Sequence, residues 1–321
     1  MLDFNRKNIR TWSMLGERGA LGVALLDIGQ QREDVLVLTA DLCNTSGLDR
    51  FQNAFPDRLI NTGIAEQNMV GMAAGLAKEG YKVFTTTFAT FASMRAIEQM
   101  RNCVSYMNFD VKIVGLASGV AMGFFGNTHY GIEDIAITRA IPNMCVLSPA
   151  DAAETIKATI AATEYSGPVY IRLTGNANHP IVYDKDYEFS IGKAIQLTNG
   201  GNIAIIATGS MVYEALRASE ILEKQGIRSS VINMHTIKPL DTKILDEIFA
   251  SHNLIVTVEE HGNIGGLGSA VAEYKAGKEG TPKQLIIGLP NAFGKAGEYK
   301  YLLDKCGLTA EKIVARILEI E

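Results

Sequence analysis

Four stretches of this chain carry side chains that could move protons or hold a flat ring. The first is NTGIAEQNM at 61–69, where Glu66 interrupts a run that is apolar nearly all round from Ile64 to Ala77. A glutamate is rarely buried without a partner. Here it is either a helix-start residue favoured by the positive end of the macrodipole or an acid with chemical work to do. A capping box does not explain it, because Thr62 lies four residues before it and the box needs three. On this stretch alone both readings stay open. In the second stretch Phe88, Phe91, Ala92, Met94 and Arg95 recur at spacings of three and four, as on one helical face. Such a pair of rings is ordinary core, yet it falls in the first turn after a strand, where ligands lie. The third is ASGVAMGFFGNTHYGIEDI, whose four glycines from Gly119 to Gly131 suit a loop that passes close to a ligand. His129 lies within it, placed for acid–base or hydrogen-bonding work. The fourth is TADL, where Asp41 is either a site residue beyond a strand or a helix cap.

These residues need elements that carry them to one place. Short apolar runs at 34–39, 58–61, 82–86, 111–116, 144–148 and 167–173 alternate with helical segments, the pattern of βα units in a parallel sheet. Asp41, Glu66, the phenylalanines and the His129 loop each follow such a run, and the carboxyl ends of strands are where open α/β sheets bind ligands. Residues 7–31 read as a leading helix. Residues 174–190, TGNANHPIVYDKDYEFS, read as a linker or wrapped segment. Further runs at 202–208, 229–233, 254–258 and 284–288 give a second, smaller domain. The fold expected is therefore α/β with two doubly wound domains, at 1–175 and 191–321, joined by 176–190. In the second domain, Glu259, Glu260 and His261 before a Gly-rich turn read as a solvated polar turn. His179, His235 and His252 read as surface or packing residues.

Composition narrows the function classes. The 321 residues carry a formal charge of −5 with no basic block, which argues against a nucleic-acid partner. No apolar run approaches a membrane span, and the charged N-terminal segment lacks the apolar core of a secretory signal. Cys43, Cys103, Cys145 and Cys306 form no CxxC pair, which favours reduced thiols in a cytoplasmic setting over a zinc site or disulfide framework. No P-loop or dinucleotide fingerprint is present.

In order and spacing, NTGIAEQNMVGMAAGLA, TADL, TFATFASM and GNTHYGIED resemble the C-terminal half of a transketolase: its pyrimidine-binding domain followed by the family's C-terminal domain. The resemblance implies a thiamine diphosphate cofactor. That cofactor loses its thiazolium C2 proton to its own aminopyrimidine, and a carboxyl group bonded to N1′ promotes the tautomer required. Glu66 matches that acid. Phe88 and Phe91 match the rings on which the pyrimidine stacks, a contact worth on the order of 1 kcal/mol beyond burial. His129 matches the histidine that handles protons on substrate oxygens, Asp41 an acid near the cofactor, and Arg18 an arginine that contacts substrate phosphate.

The chain also departs from the family pattern. Met94 stands where the third aromatic is expected, and Phe125 where a loop acid reads a sugar hydroxyl. An upstream histidine would fall near Ala117. The phosphate-binding arginine would fall near Gly175, with Arg172 in another register. The expectation is intact cofactor chemistry with altered sugar recognition. No GDG motif occurs, so the family's diphosphate and metal site (Mg2+, Ca2+ or Mn2+) is expected on a separate N-terminal transketolase subunit, with two such pairs forming an α2β2 heterotetramer. The implied activity is transfer of a two-carbon ketol unit from a ketose to an aldose. The alternatives are a 2-oxoacid-using synthase or dehydrogenase β-type subunit, and a non-catalytic stabilising subunit. The simultaneous presence of Glu66, Phe88, Phe91 and His129 argues against the last.

Overall fold

Strands that are buried along their whole length need helices on both faces of their sheet. All five residues of β1 (Val35–Thr39) and all six of β4 (Val111–Leu116) are buried. The computed structural model describes residues 2–174 and 177–320. Its first sheet also contains β2 (Leu59–Asn61), β3 (Lys82–Phe88), β5 (Cys145–Leu147) and β6 (Val169–Arg172). The second is built from β7 (Ile195–Thr198), β8 (Ile203–Ala207), β9 (Ser229–Asn233), β11 (Leu254–Gly262) and β12 (Lys283–Leu289), in the order β12-β11-β8-β9-β7. Only β7 runs antiparallel to its neighbour in that sheet. The chain thus has two α/β domains with mostly parallel sheets, as expected.

One strand crosses between them. β10 (Thr236–Lys238) follows β9, yet it pairs antiparallel with β5 and closes the edge of the first sheet, whose order is β10-β5-β6-β4-β3-β1-β2. Lys238 fastens it there by donating Nζ–H bonds to the carbonyls of Arg139 and Ile141 at 3.0 and 2.6 Å. Of the segment expected as a linker or wrapped segment, the described residues from 178 on lie against the first domain. The Asn178 and His179 amides donate to the carbonyls of Met14 and Ser13. Asp151 accepts the amides of Val182 and Tyr183, and Tyr187 stacks on Tyr183 with centroids 3.8 Å apart.

The leading helix, Arg6–Gln31, is interrupted at Gly16 and packs Trp12, Ala20 and Ala24 against Ala152, Ala153 and Ile156 of the Ala152–Glu164 helix. It approaches the loop after β1 so closely that a Cβ on Gly22 would lie 1.9 Å from the Gly47 carbonyl oxygen. Only glycine fits there. The Glu66–Lys78 helix buries Met69, Val70, Ala73 and Ala74 against the sheet. Its other side is open: Met72 is exposed, Ile64 just before it is 76% exposed, and nothing lies within 4 Å of a Cβ built on Gly71 or Gly75. Among the described residues no helix is long and apolar enough to cross a membrane.

Candidate active site

β4, β3, β1 and β2 are adjacent and parallel, so their carboxyl ends form one edge. Asp41 emerges just past β1, Asn61 ends β2, Phe88 ends β3, and the His129 loop follows β4. All four sequence stretches therefore reach the same rim.

At β1 and β2, Asp41 adopts a left-handed backbone (φ 60°), which aspartate tolerates better than most residues. Asn61 holds it, donating Nδ2–H to Asp41 Oδ1 at 3.0 Å while its own Oδ1 accepts the amides of Asp41 and Gly63. Asn61 thereby ties Asp41 to the turn that delivers Glu66. Nothing in the sequence assigns this asparagine a role on its own. Its signal was a polar strand end facing another polar strand end.

Glu66 is the first residue of its helix, with Ala65 as an N-cap that offers no side-chain hydrogen bond. The carboxylate therefore lies at the positive end of the macrodipole, and the helix-start reading holds as far as it goes. It does not account for the burial, since Glu66 is only 5% exposed. Its partner is Arg95, whose Nη1 donates to Oε1 at 2.9 Å. The Arg95 guanidinium also lies 3.7 Å from the Phe91 ring centroid, and its side chain is 48% exposed. Arg95 entered the sequence reading only as a member of a helical face.

The aromatic segment is not the regular helix that its spacing suggested. Phe88 is the last residue of β3, and Phe91–Arg95 forms a π-helical turn, a widening common at functional sites. Proximity survives the correction. The Phe88 and Phe91 rings meet edge-on at 5.8 Å, and His129 packs against both, at 6.0 and 5.3 Å. Phe125 lies 4.9 Å from the imidazole, tilted, and is 62% exposed. His129 Nδ1 shares a hydrogen bond with Thr128 Oγ1 at 2.9 Å. A continuous chain of contacts therefore runs Glu66–Arg95–Phe91–His129–Phe125.

Arg18 lies apart from that chain. It is half-buried on the leading helix beyond Gly16, and burial lowers its pKa against the opposing pull of Glu17. No hydrogen bond, ion pair or ring contact among the described residues joins it to Glu66, Phe91 or His129. Gly175 is outside the described residues. Arg172 faces inward, paired with Asp134 at 3.0 Å, with both side chains buried.

The second domain supplies a correction. Glu259, Glu260 and His261 are not a solvated turn: they continue β11 and are buried to within 1%. Glu259 accepts the Leu267 and Gly268 amides at the head of the next helix. Burial raises its pKa to about 7 despite those bonds, and burial lowers that of His261 to about 4. Glu260 accepts from Ser210 Oγ and Tyr299 OH, each at 2.6 Å, and from the Val120 amide at 2.8 Å. His179 and His235 are buried packing residues.

A carboxylate, two edge-on aromatic rings and an imidazole along the carboxyl edge of a doubly wound sheet define a ligand-binding enzyme rim. Residues 14–178 match the family model for the transketolase pyrimidine binding domain, and 192–313 that for the transketolase C-terminal domain. The chain belongs to the transketolase family. It is 45% identical to a putative transketolase C-terminal section of Methanocaldococcus jannaschii over 306 residues, 95% of this chain and 96% of that protein. It is 41% identical to a 6-deoxy-6-sulfo-D-fructose transketolase subunit of a Clostridium species over 297 residues, 92% of this chain and 91% of that protein. A solved split-gene transketolase, an inactive beta4 tetramer, superposes with a TM-score of 0.86 at 41% identity, covering 95% of this chain and 97% of that one. The chain is thus the C-terminal, pyrimidine-binding subunit of a split transketolase, a transferase subunit for ketol transfer. Membership implies use of thiamine diphosphate, and the match along nearly the whole length of split C-terminal sections implies a separate N-terminal subunit.

Proposed function

We propose that Glu66, Phe88, Phe91, His129 and Asp41 form this chain's half of a thiamine diphosphate site, completed by a partner subunit that holds the diphosphate and its metal. The observation that carries the reading is the seat of Arg95. A planar cation lies on Phe91 and donates an N–H to the buried Glu66 carboxylate. An aminopyrimidine asks for the same two things, a face to stack on and an acid at its edge, so the residues fit the group. The half-exposed Arg95 can give up that seat to solvent.

When bound, the cofactor supplies a carbon nucleophile at its thiazolium ring. Glu66 holds a proton at the pyrimidine edge, and its burial keeps water from competing for that bond. Phe88 and Phe91 fix the ring plane. His129, set by Thr128 and packed on both rings, handles protons on substrate oxygens. Asp41 borders the cofactor, and Arg18 is assigned to substrate phosphate from the family pattern. Phe125 puts an apolar ring where a sugar-reading acid would stand, which supports a modified ketose as donor, as in the sulfofructose-acting relative. The open face with Ile64, Met72, Gly71 and Gly75 supports an interface in a cytoplasmic α2β2 assembly.

The test is co-expression with an N-terminal subunit bearing GDG, then titration of thiamine diphosphate with magnesium. Binding by the pair and loss of turnover in Glu66→Ala are expected. A pair that binds no cofactor overturns the reading, and full turnover in Glu66→Ala removes the acid role. A donor panel of ketose phosphates, sulfonated ketoses and pyruvate, with carbon dioxide followed, separates ketol transfer from 2-oxoacid chemistry.

A further inference from the structure

The second domain grips the loop that carries His129 at both ends. Resting on the assignment of His129 above, we propose that Glu260 is a positioning residue for the His129 loop, with Asn127 and Gly294 as its outer clamp. The loop has a neck where Gly119 and Gly131 exchange amide–carbonyl bonds at 2.8 and 3.0 Å. One side of the neck is held by the Glu260 carboxylate through the Val120 amide. Gly119 (φ +64°) leaves room for it: a Cβ there would lie 2.2 Å from Glu260 Oε1. The other side is held through Arg172, which donates to the Gly131 carbonyl at 3.3 Å and to the Glu260 carbonyl at 2.6 Å. One buried residue of β11 thus serves both sides of the neck.

The far end of the loop is held independently. Asn127 and Gly294 exchange two hydrogen bonds at 2.7 and 3.0 Å. Tyr130 OH donates to the Lys295 carbonyl at 3.0 Å, and the Gly297 amide donates to the Gly123 carbonyl at 3.0 Å. The 294–297 segment has no regular structure and is largely exposed, so these bonds tie the loop to the second domain more than they build the domain's core. The imidazole sits between the two clamps. Such a scaffold fixes the His129 ring against Phe88 and Phe91 without contributing an atom to the reaction.

The experiment uses the full chain, alone for amide hydrogen exchange and with its partner subunit for turnover. The variants are Glu260→Ala, Glu260→Gln and the exposed Asn127→Ala. Glu260→Ala is expected to speed exchange across 117–131 by roughly 10- to 100-fold, the effect of losing a hydrogen bond to a charged group. Exchange in β1, β8 and β9 stays as in the wild type. In the complex, kcat falls on the order of 10- to 100-fold because a displaced group loses its alignment, while thiamine diphosphate affinity holds. Glu260→Gln restores part of both readouts, since an amide oxygen still accepts from Val120 without the charge. Asn127→Ala gives the same pattern at the loop's far end with no threat to folding. Wild-type exchange over 117–131 in both alanine variants overturns the proposal, as does acceleration spread evenly through both sheets. Full turnover in His129→Ala instead defeats the assignment of His129, and the exchange data still decide whether Glu260 holds the loop.

Discussion

Asp134→Asn perturbs a fully buried ion pair, Arg172–Asp134. Asp134 accepts Arg172 Nε–H at 3.0 and 3.1 Å and Tyr170 OH at 2.9 Å, and Arg172 and Asp134 are no more than 1% exposed. The amide keeps the shape but removes the charge and turns one acceptor into a donor facing donors. Arg172 is then a buried cation that has lost its directly bonded carboxylate, with Glu260 left as the nearby charge, and breaking such a pair costs about 3–5 kcal/mol. Against a total of about 5–15 kcal/mol for a folded domain, this is a large fraction. Urea unfolding, followed by the single tryptophan Trp12 and by circular dichroism, should show the midpoint falling by about 2 M at ordinary urea slopes. The triple variant Tyr170→Phe, Asp134→Leu, Arg172→Met should regain part of the loss. It removes both charges of the pair; the Gly131 carbonyl keeps its bond from the Gly119 amide, while Glu260 loses Arg172 from its carbonyl and from the neighbourhood of its buried carboxylate. A loss below about 1 kcal/mol in Asp134→Asn would refute the argument, because it would mean that Arg172 does not depend on this carboxylate.

Three further predictions concern stability. Burial holds the His235 pKa down at about 4, below the ordinary 6.5, so its stabilisation is present above pH 6.5 and drains away as pH falls toward 4. At pH 5 that loss is about 2 kcal/mol. The stability of His235→Asn should therefore fall by that much less than wild type between pH 7.5 and 5, and parallel curves would sink the idea. Gly22→Ala, whose methyl would meet the Gly47 carbonyl, should cost about 1–3 kcal/mol in denaturant unfolding. Gly71→Ala, with open space at its Cβ, should stabilise the isolated chain by about 0.5–1 kcal/mol.

What was legible in the sequence was whatever local pattern controls. β1 and β4 are unbroken apolar runs, and each was read almost to the residue. The site residues were legible because each follows such a run, and parallel strands bring their carboxyl ends to one edge. Distant partners hid the rest. Glu260 looked like part of a turn because the groups that satisfy it in the core, Ser210, Tyr299 and Val120, lie tens of residues or more away. β7 is half-exposed and short, and β10 is three residues long with its pairing partner in the other domain. Neither leaves a periodic trace. Arg95 was invisible as a partner of Glu66 because their meeting depends on the π-helical turn, which residue spacing does not announce.

The crossing of β10 has a practical and an evolutionary side. Cutting the chain within 176–190, as the sequence boundaries invite, would leave β5 with a row of unpaired amides and carbonyls along the sheet edge. Such an edge recruits whatever strand it meets. A first domain made alone should therefore clump by edge-to-edge pairing, and a second domain made alone would carry an unpaired β10. Shuffling, grafting or swapping between relatives has to move both domains as one block, so recombination inside this chain is penalised although its two sheets look like separate modules.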